Sequence, residues 1–212
     1  MNRIIRYPGE NQWPHVAIIG GTFDPPHRGH LTLVDAAMHH LHCDYAIIRP
    51  SNGNPLKTHN QVDFHHRINM CEILFGNIEN VSISSYESKL SYPTYSYLTV
   101  QSMFNGEPDS ICQNAHYHFM IGEDCLQHLE QWNHLEQIFA FSDIYAVGPN
   151  VAHMYENLPS WLQRNMGYIQ IPSVVDIHST QIRNQIKENE YNNTYTSDDV
   201  IRYIQKHNLY RE

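Results

Sequence analysis

Short apolar runs alternate with stretches of helical spacing along this chain, and that alternation limits its fold more than any other feature. "VAIIG" (16–20), "YAIIRP" (45–50), "VSISS" (81–85), "HFMIG" (118–122), "IYAVG" (144–148) and "YIQIP" (168–172) read as strands. They are short, rich in β-branched and aromatic residues, and apolar on both faces. Between them, 30–41 carries Leu31, Val34, Ala37, Met38 and Leu41 at helical spacing, and 62–75 carries Phe64, Ile68, Cys71 and Phe75. Further helices are expected over 97–104, 123–132, 179–188 and 197–208, the last with Ser197 as N-cap and two aspartates in its first turn. Strands buried on both faces and separated by helices specify a parallel sheet covered on each side. The class is α/β: a doubly wound parallel sheet with helices on both faces and a small helical C-terminal subdomain. Loops 50–61 and 105–115 are rich in Asn, Pro, Gly and Ser and are expected to act as lids.

In such a sheet, ligands bind beyond the carboxyl ends of the strands. The stretch "GGTFDPPHRGH" (20–30) sits there, after the first strand. Gly20 and Gly21 let backbone amides approach an anion. Pro25 and Pro26 stiffen the turn. The helix that follows aims its amides and positive dipole end at the same spot, and His27 and His30 stand at its mouth. The physics is that of a phosphate cradle with two imidazoles. It lacks the G-K-[ST] ending of a P-loop and the G-x-G-x-x-G of a dinucleotide site. A second cluster, "IHSTQIR" (177–183), places Ser179 and Thr180 at a helix start with Arg183 one turn on, a combination suited to a polyphosphate. Asp24 has two readings, a ligand contact or a brace for the turn through backbone N–H groups.

Composition excludes some partners. The net charge is −9, with only 13 Lys and Arg, so neither nucleic acid nor an anionic membrane is a suitable general partner. Four cysteines (Cys43, Cys71, Cys112, Cys125) without a C-x-x-C pair read as reduced, mostly buried thiols in a cytoplasmic protein. The first residues hold no signal-peptide core, and no apolar run is long enough to span a membrane. The 16 histidines read chiefly as structural or surface groups, and no metal site is expected. "HYH" (116–118) can put two imidazoles on one face of a strand, without a third ligand in view.

G-G-T-F-D-P-x-H-x-G-H after a first strand, with S-T-x-I-R late in the chain, resembles the H-x-G-H nucleotidyltransferases. Within them it is most similar to the bacterial nicotinate-mononucleotide adenylyltransferases. "NPLK" (54–57), "RINM" (67–70), "YSYLTV" (95–100), "IGEDCLQHLEQW" (121–132) and "VIRYIQKHNLY" (200–210) carry the likeness along the chain. The resemblance implies a Rossmann-like nucleotidyltransferase domain over 16–212, preceded by a leader over 1–15. It implies transfer of AMP from ATP to nicotinate mononucleotide, giving deamido-NAD and pyrophosphate, a step of NAD biosynthesis. His27, His30 and Arg183 would be catalytic. ATP would meet Gly20, Gly21, Thr22, Phe23, His27, His30, Gly122, Asp124, Ser179, Thr180 and Arg183, with Mg²⁺ brought by the nucleotide. The mononucleotide would meet Lys57, Ser96 and Trp132, although Trp132 suits the core as well as the pocket. Arg67 would either touch ligand or pair with an acidic neighbour. The partners are these small molecules, and the oligomeric state, monomer or homo-oligomer, is left open.

The chain departs from the family pattern at His178, Ser96, Leu98, Glu123 and Leu56, mostly in the mononucleotide half. Alternatives are nicotinamide mononucleotide or phosphopantetheine as acceptor, or a nucleotide sensor without turnover. His27 speaks against phosphopantetheine adenylyltransferases, which usually carry Thr there. "VVDIHSTQIR" (174–183) differs from the late motif of the phospho-alcohol cytidylyltransferases, and the K-M-S-K-S of the class I aminoacyl-tRNA synthetases is missing.

Overall fold

The computed structural model describes residues 13–53, 61–90, 94–106, 114–172, 177–190 and 194–211. Six strands, β1 (His15–Gly21), β2 (Tyr45–Pro50), β3 (Val81–Ile83), β4 (His116–Gly122), β5 (Asp143–Gly148) and β6 (Met166–Gln170), form one sheet in the order β3-β2-β1-β4-β5-β6. Every pairing is parallel, with Ile18 opposite Ile47 on one side and Phe119 on the other. The chain winds outward from β1 to β3, returns to the centre, and winds the other way through β4 to β6. The crevice of this doubly wound, Rossmann-like sheet therefore opens between the carboxyl ends of β1 and β4.

The period-2 alternation of the central strands builds the two sides of the core. Val16, Ile18, Ile47, Phe119 and Ile144 face one way, against Val100, Met103, Leu129 and Ile138. Ala17, Ile19, Ala46, Ile48 and Met120 face the other way, against Leu33, Val34, Cys71 and Phe75. The first side is covered by α3 (Ser96–Phe104), a 3-10 helix (Glu123–Gln131), α4 (Leu135–Phe141), α5 (Val151–Glu156) and α6 (Ser160–Gln163). The second is covered by α1 (Arg28–Asp35) and α2 (Phe64–Phe75). Behind α2, Met70 joins Ile182, Ile186, Val200, Ile204 and Leu209 in a separate apolar cluster formed with α7 (Ser179–Lys187) and α8 (Asp198–Lys206), the helical C-terminal part.

Expected and observed elements differ mainly at their ends. The helix expected over 30–41 starts at Arg28 and continues past Asp35 as a π-helical turn, Ala36–His40. The 123–132 segment is 3-10 rather than α, and β3 stops at Ile83. The last strand runs Met166–Gln170 rather than 168–172, and α4, α5 and α6 lie in stretches without a clear helical pattern. Ser197 caps α8 as expected, its hydroxyl accepting from the Val200 N–H at 3.2 Å. Cys43 and Cys71 are free and buried, and burial pushes the Cys43 thiol up to about 12, which leaves it unreactive. Cys112 and most of loops 50–61 and 105–115 lie outside the described residues, as does most of the 1–15 leader.

At the amino ends of β1 and β4, the imidazoles of "HYH" do share a face. Both stack on His15, and His15 Nδ1 lies 2.8 Å from His118 Nε2. Among the described residues no three His, Cys, Asp or Glu side chains are placed to hold a metal ion. His118 is buried, and burial, seconded by His15 and His116, lowers its pKa against the opposing pull of Asp143, whose Oδ2 lies 3.5 Å from Nδ1. Tyr145 packs against the same ring. The folded protein thus prefers neutral His118, so its contribution to stability is complete above the ordinary imidazole pKa of about 6.5 and is lost as pH falls below it. The thermal midpoint should fall between pH 7.5 and 5.5, and His118→Gln should flatten that fall. An equal fall in the variant, followed by circular dichroism, would assign the pH dependence elsewhere.

Candidate active site

The site starts from the close approach of β1 to its neighbours. Gly20 stands near the end of the strand, and a Cβ there would approach the Phe119 ring on β4 to 3.0 Å, so glycine lets these two strands pack without displacing that ring. Beyond Gly21 the chain turns sharply. Phe23 adopts a left-handed φ of 51°, a conformation costing roughly 1–2 kcal/mol for a non-glycine residue. Packing holds it there, since its ring is buried between His30 (4.5 Å between centroids) and Phe75 (6.1 Å). The turn then runs through a cis Asp24–Pro25 bond into α1.

His27 is the N-cap of α1 and His30 its third residue. The His27 N–H donates to His30 Nδ1 at 3.1 Å, which leaves the proton of the neutral His30 ring on Nε2. The two rings lie 3.8 Å apart and tilted by 31°. Gly29 leaves room for this pairing: a Cβ there would crowd His27 Nδ1 at 3.0 Å. The spacing H-x-G-H thus has a steric reason in this structure, and it sets two imidazoles side by side at the positive end of a helix.

The late cluster closes onto the same turn. Ser179 Oγ donates to the Pro25 carbonyl at 3.0 Å, and Arg183 Nη1 donates to the Asp24 carbonyl at 2.8 Å. Arg183 Nη2 reaches Thr180 Oγ1 at 3.0 Å, so the three residues form one constellation against the first motif. Thr180 is exposed and Arg183 half-buried, which leaves this edge open to solvent. His178 caps α7, its N–H donating to Gln181 Oε1 at 2.8 Å.

The Asp24 carboxylate braces the turn, as one of its two readings had it. Its Oδ1 accepts from Tyr210 Oη–H at 2.7 Å and from the Val62 N–H at 3.4 Å. Burial and the adjoining Asp24 push the Tyr210 phenol far above its ordinary pKa, so it stays a donor. Thr196 Oγ1 donates to the Pro26 carbonyl at 3.0 Å, and the Arg28 N–H donates to the Tyr195 carbonyl at 2.8 Å. These partners were not singled out from sequence, because nothing local to residues 195–210 marks a contact with residues 24–28.

Arg67 makes contacts that neither reading described. Its guanidinium is buried and donates to backbone carbonyls: Nη1 to Thr22 and Ser51, each at 2.7 Å, and Nε to Val62 at 3.1 Å. It is a clamp on the ends of β1 and β2, and among the described residues no carboxylate stands in ion-pair contact with it. Thr22 Oγ1 is buried and has no hydrogen-bond partner among the described residues.

Across the crevice, Gly122 ends β4 and begins the 3-10 helix. Asp124 is exposed at this rim, and Glu123 turns away to accept from the Asn150 N–H at 2.7 Å. Trp132 is half-buried and meets Phe119 edge-on at 6.1 Å, so it packs on the core beside the crevice while keeping a surface outward. Ser96 opens α3. Lys57 and Leu56 lie outside the described residues. The structure therefore brings Gly20, Gly21, Thr22, Phe23, His27, His30, Ser179, Thr180 and Arg183 into one cluster, and places Gly122, Asp124 and Trp132 on the β4 side of the sheet's switch point.

Comparison with known proteins agrees with this geometry. A family model described as cytidylyltransferase-like matches residues 18–185. A Clostridium botulinum (strain Loch Maree) protein named "Probable nicotinate-nucleotide adenylyltransferase" is 30% identical over 202 residues, 92% of this chain and 98% of the relative. A protein of the same name from Gemmatimonas aurantiaca is 27% identical over 200 residues, 93% of this chain and 92% of its own. Among solved structures, the Plasmodium falciparum nicotinic acid mononucleotide adenylyltransferase complexed with NaAD superposes with a TM-score of 0.74 at 21% identity, covering 93% of this chain and 97% of that one. The motif at the end of β1, the crevice it faces and these likenesses agree: the chain belongs to the cytidylyltransferase-like nucleotidyltransferases, and among them to the nicotinate-nucleotide adenylyltransferase family.

Proposed function

We propose that this protein transfers AMP from ATP to nicotinate mononucleotide, forming deamido-NAD and releasing pyrophosphate. One observation carries the reading: His27 and His30 stand 3.8 Å apart at the start of α1, at the crevice, with Ser179 and Arg183 fastened to the same turn. A phosphate oxygen of the mononucleotide attacks the α-phosphorus of ATP as the bond to pyrophosphate breaks. The nucleophile is already an anion, so no base is required, and no side chain forms a bond. What the protein must supply is alignment and stabilisation of charge on the departing pyrophosphate.

His27 and His30 donate to phosphate oxygens at the reacting centre. Ser179, Thr180 and Arg183 hold the β- and γ-phosphates; Arg183 has five N–H donors, more than the two bonds it makes among the described residues engage. Gly20, Gly21, Thr22 and Phe23 line the nucleotide, while Gly122 and Asp124 meet its ribose. Lys57, Ser96 and Trp132 face the mononucleotide, with Trp132 as an aromatic wall for the pyridine ring. ATP enters as its Mg²⁺ complex, the charged form in which it is a substrate. Residues 16–212 work as one nucleotidyltransferase domain with 1–15 as its leader. Among the described residues no helix is long and apolar enough to cross a membrane. The buried thiols of Cys43 and Cys71 suit a cytoplasmic setting.

The test is pyrophosphate release from Mg²⁺ and ATP, with nicotinate and nicotinamide mononucleotides offered separately. Release with the nicotinate form is expected to exceed release with the nicotinamide form. Equal rates would overturn the assigned acceptor, and release with neither would overturn the reading as a whole.

A further inference from the structure

A buried ion pair sits behind the mononucleotide half of the site, and no expectation from sequence anticipated it. Arg49, on β2, is fully buried and lies in register with Gly20 of β1. Its Nη2 donates to Ser102 Oγ on α3 at 2.8 Å, its Nε stands 3.9 Å from Glu87 Oε1, and the Tyr86 ring lies 4.7 Å from its guanidinium carbon. Glu87, in a 3-10 turn (Tyr86–Lys89), is 2% exposed. Its Oε2 accepts from the Asn52 N–H at 3.1 Å and its Oε1 from Thr99 Oγ1–H at 2.5 Å.

These contacts join two pieces of chain that the functional reading assigns to the second substrate. Asn52 belongs to the segment that leads from β2 into residues 54–60, which contain Lys57. Its side chain also donates to the Leu90 carbonyl at 3.3 Å, and Thr94 Oγ1 donates to the Gly53 carbonyl at 3.3 Å. Thr99 lies one turn along α3 from Ser96, so whatever fixes Thr99 fixes Ser96. One carboxylate therefore ties the root of the Lys57 segment to the helix that carries Ser96. Arg49 ties the same point to the strand beside Gly20.

We propose that Arg49 and Glu87 are a positioning pair that holds the mononucleotide-binding half in register with the ATP-binding half. This rests on the functional reading above. Stability alone is a poor reason to keep such a pair, because well-packed apolar residues in place of a buried ion pair are often as stable or more so. What charges and hydrogen bonds supply here is a fixed separation between three segments.

Two variants separate positioning from structure. Glu87→Gln removes the charge and leaves Arg49 buried beside a neutral amide. The double variant Arg49→Met/Glu87→Leu removes both charges and leaves neither orphaned. In both, KM for nicotinate mononucleotide should rise ~10-fold or more, the equivalent of one charged hydrogen bond, while KM for ATP stays unchanged. The thermal midpoint should drop in Glu87→Gln and recover in part in the double variant, which removes the orphaned charge of Arg49 but leaves the Asn52 N–H and Thr99 Oγ1–H without their acceptor; its KM does not recover. Amide hydrogen exchange should quicken together over 50–53 and 94–104 in the double variant. A double variant with wild-type KM for the mononucleotide, or KM values rising equally for both substrates, overturns the proposal. Should the wild-type protein fail to use nicotinate mononucleotide, the functional reading falls by itself. Hydrogen exchange then still decides the pair, since unchanged exchange in both segments means that it couples nothing.

Discussion

His30→Ala should lower kcat by ~10²–10³ while the protein remains folded. The magnitude is that of losing one preorganised donor to developing charge, about 3–4 kcal/mol of barrier. His30 also has a local structural task, because its Nδ1 accepts from the His27 N–H at the start of α1. Loss of such a cap costs about 1 kcal/mol of stability. The two effects differ in size and in readout, so they separate cleanly. Urea unfolding reports the cap, and single-turnover formation of dinucleotide at saturating substrates reports the chemistry. His30→Asn, which retains a short acceptor for the His27 N–H, should recover stability without recovering kcat. Turnover near wild type in His30→Ala would remove the imidazole from the mechanism.

The strands and the first motif were legible in sequence because their physics is local. "VAIIGG" announces a strand buried on both faces, and "PPHRGH" combines a stiff turn, a helix start and two imidazoles within a few residues. Even the glycine of H-x-G-H has a local cause, the 3.0 Å approach of its would-be Cβ to His27. The partners of that motif were less legible in proportion to their distance along the chain. Ser179 and Arg183 stood out because they repeat the same phosphate chemistry. Tyr210 and Thr196 did not, since each binds the Asp24–Pro26 turn from more than 150 residues away and carries no signature of that bond where it stands. Arg49 did leave a trace: a guanidinium inside the apolar run "YAIIRP" demands a buried acceptor. The acceptor is Ser102 Oγ on α3, and the counter-charge, Glu87, sits in the polar stretch "SYESK", where a carboxylate reads as an ordinary surface group. Helices α4 to α6 were missed for a related reason: they are 4 to 7 residues long, too short to display a period.

Arg67→Met should destabilise the fold by about 3–5 kcal/mol, a large share of the roughly 5–15 kcal/mol that holds such a domain together. The side chain is 2% exposed, and burial, the largest influence on it, lowers its pKa, opposed chiefly by the charge of Asp24. What repays that burial is the set of carbonyls it satisfies: Thr22 after β1, Ser51 after β2, and Val62 ahead of α2. Methionine fills similar space and satisfies none of them, and each acceptor left dry costs about 1–3 kcal/mol. Lysine retains the charge but not the planar fork that reaches Thr22 and Ser51 from one nitrogen and Val62 from another, so Arg67→Lys should recover only part of the loss. The consequence extends to catalysis, because Thr22 begins the turn that presents His27 and Ser51 begins the segment that leads to Lys57. Turnover in both variants, measured well below their unfolding midpoints, should fall in the same order as stability, methionine below lysine. Urea denaturation at constant slope would measure the stability loss, and an Arg67→Met midpoint equal to wild type would mean that water, not the guanidinium, serves those carbonyls.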